Sequence, residues 1–178
     1  MTTSGPDRAD ADRGARRATW STMLPIGIVV TVVALDQATK AWAVSALPGH
    51  PRDVVGNTVQ LVLGRNSGSA FSMFTGITPV LAVLALGVAV VLARAVRRSQ
   101  DLWTVCALSL VLGGALGNLS DRVFRSPGFL HGAVVDFVRL GWWPVFNVAD
   151  SAITIGAILL VAFGWRTSRP VEDATPAR

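Results

Sequence analysis

Long apolar stretches alternate with short polar ones along the chain. Four stretches approach the roughly 20 mainly apolar residues that a membrane-spanning helix requires at ~1.5 Å per residue. The first runs from Met23 to Leu47 and is interrupted by Asp36, Gln37 and Lys40, and the fourth runs from about Phe146 to Trp165 with Asp150 near its start. The second and third, Ile77 to Ala93 and Leu102 to Ser120, contain no charged residue. Uniformly apolar runs predict helices and not barrel strands, which would alternate. A cleaved leader is the weaker reading of the first stretch, because Trp42, Val44 and Leu47 continue its apolar character past Lys40. Between the first two spans the texture changes. Val54, Val55, Val59, Leu61 and Leu63, set among Gly and Asn turns, predict a small antiparallel β element at the outer membrane interface. The expected fold is an all-α polytopic membrane protein of four transmembrane helices with a small extracytoplasmic β element.

Composition narrows the class. Of 178 residues, 51% are hydrophobic and 15% charged, and the mean hydropathy is +0.50. Soluble domains carry about 25% charged residues, and disordered chains are less hydrophobic still. The net charge of +5 could point to nucleic acid, but the placement of the charges argues for membrane topology instead. Arg8, Arg13, Arg16 and Arg17 precede the first span, Arg94, Arg97 and Arg98 separate the second from the third, and Arg166, Arg169 and Arg178 follow the fourth. The positive-inside bias makes that side cytoplasmic, with both termini inside and residues 48–75 and 121–145 outside. The chain divides into a disordered cytoplasmic tail over 1–22, one membrane unit over 23–166, and a second disordered tail over 167–178.

Metal chemistry has little to work with, since Cys106 is the single cysteine and His50 and His131 are the two histidines. No metal or cofactor is expected. The informative residues are carboxylates in apolar surroundings, because an Asp at a helix centre costs ~2.5 to 3.5 kcal/mol to insert. Asp36 and Lys40 are four residues apart on one helical face and either neutralise each other or serve a site. Asp121, beside Arg122 at the end of the third span, reads as an interfacial ion pair with a structural or positioning role. Asp136 and Asp150 have apolar neighbours on both sides, and the fourteen residues between them allow a re-entrant or interfacial turn to bring them to one depth.

Two close carboxylates in a low dielectric share a proton, so one activates water while the other protonates or polarises a carbonyl. That arrangement suits amide hydrolysis. A Ser/Lys site built on Lys40, the sole lysine, is the alternative for peptide cleavage; H-E-x-x-H is absent. Asn66, Asn118 and Asn147 lie at similar depth and are suited to orienting a carboxylate or holding a peptide backbone. Gly113 and Gly117 read as helix-packing positions. The rival classes are a proton-coupled transporter and a non-catalytic assembly subunit. The carboxylates, however, collect at the outer interface instead of forming a path across the membrane.

Taken in order, Asp36-Gln37-Ala38-Thr39-Lys40, Asn66-Ser67-Gly68-Ser69-Ala70-Phe71, Gly113-Gly114-Ala115-Leu116-Gly117-Asn118-Leu119-Ser120-Asp121-Arg122, Val134-Val135-Asp136-Phe137 and Phe146-Asn147-Val148-Ala149-Asp150-Ser151 resemble the lipoprotein signal peptidase (signal peptidase II) family of intramembrane aspartic peptidases. The resemblance covers about residues 23–165. It implies an enzyme of the bacterial cytoplasmic (inner) membrane, acting at its extracytoplasmic face. The implied substrate is a diacylglyceryl-prolipoprotein within the membrane lipid, cleaved just before its lipidated cysteine; the implied inhibitor is of the globomycin type. It further implies a catalytic pair of Asp136 and Asp150. Asn66, Gly68, Asn118, Arg122 and Asn147 would surround substrate, and Asp36, Lys40 and Asp121 would support the site. Ser69 departs from the family, where Ala is more usual.

Overall fold

The computed structural model describes residues 8–68 and 78–167. Ser69 and the tails over 1–7 and 168–178 lie outside the described residues. Four helices, α1 (Arg8–Ala46), α2 (Thr78–Arg98), α3 (Leu102–Phe124) and α4 (Val148–Thr167), carry three strands, β1 (Arg52–Val55), β2 (Val59–Asn66) and β3 (Val134–Leu140). Among the described residues, three helical segments are long and apolar enough to cross a membrane: Thr22–Ala46, Thr78–Arg98 and Leu102–Phe124. The described apolar part of α4, Val148–Phe163, is shorter. Residues 8–21, expected as a disordered tail, instead extend α1, consistent with the high helix propensity of their Ala and Arg residues.

α3 sits at the centre, touching α1, α2 and α4. Its start is fixed by the Asp101 side chain, which accepts from Thr104 N at 2.7 Å. Close approach to its neighbours depends on glycine. A Cβ on Gly113 would lie 2.8 Å from Val32 Cβ in α1, one on Gly117 would lie 2.7 Å from Asp36 Oδ2, and one on Gly114 would collide with the Ala149 carbonyl oxygen of α4. Both packing glycines expected from the sequence thus hold α1, and Gly114 holds α4. The outward faces are apolar: Val80, Val83, Leu84, Val88 and Val91 of α2 and Ile155, Ile158 and Val161 of α4 are exposed. Such faces suit hydrocarbon, where nothing drives them inward.

The sheet is antiparallel in the order β1-β2-β3. The expected β element accounts for β1 and β2; β3 is an addition to it, since the sequence predicts no strand in the outer segment 121–145. Val134-Val135-Asp136-Phe137-Val138 is rich in β-branched and aromatic residues, the composition of a strand, and its pairing with β2 supplies partners that a turn would leave unmet. Phe137, Leu47 and Ala43 form a buried cluster with Leu61, Leu63 and Val148, which seats the sheet on the C-terminal end of α1. After β3 the chain turns at Gly141 (φ +49). It returns so that Phe146 N donates to Val138 O at 2.9 Å and Phe146 O accepts from Phe137 N at 3.0 Å. This doubling back is what closes the distance in sequence between Asp136 and Asp150.

The helix contacts give a direct test. Gly114→Ala should destabilise the protein by about 1–3 kcal/mol through overpacking against a backbone carbonyl. Gly87→Ala, with no atom within 4 Å of the new Cβ, should stay within ~1 kcal/mol of wild type. Thermal unfolding in detergent compares the two, and equal midpoints would show that α3 and α4 are not held at this separation.

Candidate active site

Asp136 lies mid-strand in β3, only 4% exposed. Its cross-strand partner is Gly64, at a register shift between Leu61 and Gly64; a Cβ there would approach Asp136 O at 3.3 Å. A residue without a side chain therefore stands opposite the carboxylate, and the local bulge turns the strand, a feature often found beside active sites.

Asp150 occupies the first turn of α4. Asn147, the residue before that helix, accepts from Asp150 N at 2.9 Å through its side-chain oxygen. In return Asp150 Oδ2 accepts from Asn147 N at 3.2 Å. This is a reciprocal capping box, with an Asn and an Asp in the two roles, so the start of the helix itself orients the Asp150 carboxylate. The other oxygen, Oδ1, accepts from Asn118 Nδ2 at 2.8 Å.

Asn147 also reaches the second carboxylate: its Nδ2 donates to Asp136 Oδ1 at 2.6 Å, to Asn118 Oδ1 at 3.2 Å and to Val135 O at 3.3 Å. One fully buried residue thus binds both carboxylates, Asp136 through its side-chain amide and Asp150 through its backbone N–H. Burial pushes the Asp136 carboxyl up to about 6; the Asp150 charge adds to the rise, while hydrogen bonds from Asn147 and Asn66 and the Lys40 charge oppose it.

Behind this pair lies a buried ionic cluster. Lys40 Nζ lies 2.8 Å from Asp36 Oδ2, 2.9 Å from Asp121 Oδ2 and 2.9 Å from Asn118 Oδ1, with all three charged side chains fully buried. Asp36 Oδ1 accepts from Ala149 N at 3.0 Å, and Asp121 Oδ2 accepts from Val135 N at 3.0 Å. Each supporting carboxylate therefore grips the backbone one residue before a member of the central pair. Lys40 has both its attractions and its third hydrogen bond committed here, which leaves it ill suited to serve as a base for a serine.

The expected pairing of Asp121 with its neighbour Arg122 is corrected: Asp121 pairs with Lys40 and, at 2.6 Å, with Arg125 Nε. Successive helical residues point about 100° apart, whereas positions four apart share a face. Arg122 sends Nη1 to Asn118 O at 3.3 Å, and its buried Nε has no hydrogen-bond partner among the described residues. Asn66 ends β2 opposite Val134 and accepts from Gly68 N at 2.9 Å; Gly68 takes φ +90 against Leu81.

Two members of the constellation were not singled out from sequence. Gln37 Nε2 donates to Asp36 Oδ2, Gly117 O and Asp121 Oδ1, each at 3.1 Å; its signal was a third polar residue within the first span. Arg125 had the four-residue spacing from Asp121 as its signal. Every site residue expected from sequence except Gly68, which shapes the adjoining turn, and Arg122, which bonds the Asn118 backbone carbonyl, contacts this connected set of side chains or the Asp136 carboxyl.

Comparison with known proteins agrees with this architecture. Residues 28–166 match the family model described as signal peptidase (SPase) II. A lipoprotein signal peptidase of Mycobacterium avium is 51% identical over 154 residues, which is 86% of this chain and 82% of that protein. One of Mycolicibacterium smegmatis is 50% identical over 163 residues, covering 86% and 69%. Among solved structures, a bacterial membrane enzyme determined by the in meso method at 2.3 Å superposes with a TM-score of 0.72 at 30% identity, over 88% of this chain and 96% of that one. Another at 1.9 Å gives 0.73 at 30% identity, over 83% and 96%. With the family model spanning most of the chain and relatives at half identity, this protein belongs to the signal peptidase II family of peptidases.

Proposed function

We propose that this protein cleaves the signal peptide from diacylglyceryl-modified prolipoproteins, just before the lipidated cysteine, by an aspartic mechanism using Asp136 and Asp150. The observation that carries the reading is that one residue, Asn147, binds both carboxylates, that of Asp136 in β3 through its side-chain Nδ2 and that of Asp150 in α4 through its backbone N–H. Asp150 is the ionised member. Its oxygens accept from Asn147 N and Asn118 Nδ2, and the N-terminal end of α4 favours its negative charge. Asp136 holds the proton, in keeping with its raised pKa.

In the chemical step Asp150 takes a proton from water as the water oxygen bonds to the scissile carbonyl carbon. Asp136 gives its proton to the carbonyl oxygen, producing a neutral tetrahedral diol. Collapse reverses the roles: Asp150 protonates the leaving nitrogen, the C–N bond breaks, and a diol proton returns to Asp136. Arg122 and Asn66, at the rim of the same site, are suited to hold the substrate backbone.

The reading includes one membrane unit over 23–166 with four spans, both termini cytoplasmic and the site at the outer face of the bacterial inner membrane. It is supported by the Arg-rich connection between α2 and α3 and by the site lying toward the other end of α3, at Asn118 and Asp121, next to the sheet. A globomycin-type peptide is the expected inhibitor.

Asp136→Asn and Asp150→Asn should each lower turnover of a lipopeptide at least about a thousandfold, since an amide supplies neither base nor acid, while the variants still insert and fold. Lys40→Met should unfold at lower temperature, because two buried carboxylates lose their counter-charge, a loss of about 3–5 kcal/mol. A folded, inactive Lys40 variant beside two active Asp variants would replace this mechanism with the Ser/Lys one.

The raised pKa sets a pH dependence. The stability held by protonated Asp136 is complete below its ordinary 3.8 and lost as pH rises through about 6. With the proton required for catalysis, kcat/KM should fall about tenfold per pH unit above that point. A profile flat from about pH 5 to 8 contradicts the assignment of the proton to Asp136.

Recognition of lipid supplies the last test. Acyl chains contribute ~0.8 kcal/mol per buried CH₂ and fix the depth of the substrate. The diacylated peptide should therefore be cleaved at least about tenfold faster than its unlipidated twin in the same detergent; equal rates would make this a general intramembrane protease.

A further inference from the structure

We propose that Arg125 is a positioning residue for Asp136, acting through Asp121. The inference rests on the two-carboxylate reading above and concerns a residue outside the pair and its immediate partners.

Arg125 is the first residue past α3, and its backbone N donates to Asp121 O at 2.9 Å. Its Nε meets Asp121 Oδ1 at 2.6 Å, and at 23% exposure its side chain closes the solvent side of a carboxylate that is itself fully buried. The opposite oxygen of that carboxylate accepts from Val135 N at 3.0 Å, and Val135 immediately precedes Asp136. Asp121 is thus a clamp between the end of α3 and the strand that carries the reacting carboxyl. Arg125 holds the clamp from outside, as Lys40 does from inside.

The intervening segment folds back on the same helix end. Gly128 N donates to Arg125 O and Gly132 N to Arg122 O, both at 3.1 Å. A Cβ on Gly132 would collide with Asp121 O and lie 2.8 Å from Arg125 O. Among the described residues no other cation replaces Arg125 at Asp121 Oδ1, because Lys40 approaches the other oxygen and Arg122 turns to Asn118 O.

Charge arithmetic leads to the same residue. Asp36 and Asp121 face Lys40 and Arg125, so the cluster is neutral. Without Arg125 it carries one excess negative charge in a low-dielectric setting behind Asp136. The groups around Asp136 are Asp150 and Asn147 from α4 and its cap, Asn66 from β2, Lys40 and Asp36 from α1, and Asp121 and Arg122 from α3. An added negative charge among them makes Asp136 hold its proton more tightly.

The test compares wild type, Arg125→Gln and Arg125→Lys as full-length proteins in detergent with a diacylated peptide, normalised to folded protein by thermal unfolding. Arg125→Gln should lose about ten- to a hundredfold in kcat, the scale of a misplaced reacting group. Its KM should stay within about twofold, and the alkaline limb of its kcat/KM profile should move to higher pH. Arg125→Lys keeps the charge and should return kcat to within about threefold of wild type, with the limb in its original place. Should the Gln variant fail to fold, the Lys variant carries the test alone, and a Lys variant with a collapsed kcat or a displaced limb overturns the proposal. So does a folded Gln variant with wild-type kcat and pH limb while Asp136→Asn is inactive. An active Asp136→Asn instead sinks the two-carboxylate reading itself, which keeps the two failures apart.

Discussion

One ammonium group between two carboxylates organises this molecule. Lys40 lies within 2.9 Å of both Asp36 and Asp121, with no solvent access to any of the three. Left alone in an apolar setting each charge would be costly, and truncating one partner of such a pair typically costs about 3–5 kcal/mol. The requirement is mutual, so α1 and α3 must meet at this level. Because Asp36 also binds Ala149 N and Asp121 binds Val135 N, the same charges fix the start of α4 and the entry to β3. A net gain in stability over an apolar core is not implied; what the cluster supplies is a connection among four elements around Asp136 and Asp150.

Local helix physics does the rest. Any helix leaves its first N–H groups without partners inside the helix. In α4 these are met by a capping box whose acidic member is Asp150. The cap residue, Asn147, spends its remaining donor on Asp136 and Asn118. A residue placed for a structural reason thereby sets the geometry between two carboxylates on different elements: Asp150 cannot turn without breaking its bond from the Asn147 backbone, nor Asp136 without breaking its bond from Asn147 Nδ2. Opposite, the bulged edge of β2 places Gly64 against Asp136, so the strand pairing that holds this carboxylate does not cover it.

Much of the fold was legible because transfer into hydrocarbon depends on local composition. Ile77 to Ala93 and Leu102 to Ser120 had no other economical form than helix, and α2 and α3 begin within one residue of these starts and run on to Arg98 and Phe124. Asp36, Lys40, Asp121, Asp136 and Asp150 stood out for the same reason, as charges where insertion is unfavourable. β3 was missed because its apolar run is too short for its period to be distinctive. Helical residues 8–21 were missed because charge and small residues describe a solvated helix as well as a disordered tail.

The sequence by itself determined where the chain meets the membrane and which polar residues had to find partners, since both follow from the solvation of each residue in its own neighbourhood. The tertiary structure decided who those partners are. Asp121 chose Lys40, 81 positions away, and Arg125, one turn on, over adjacent Arg122; Asn147 came to join Asp136 to Asp150. Such choices depend on helix rotation, on strand register and on the glycine contacts that set helix separation. Those are properties of packed elements, and a hydropathy pattern along one chain does not encode them.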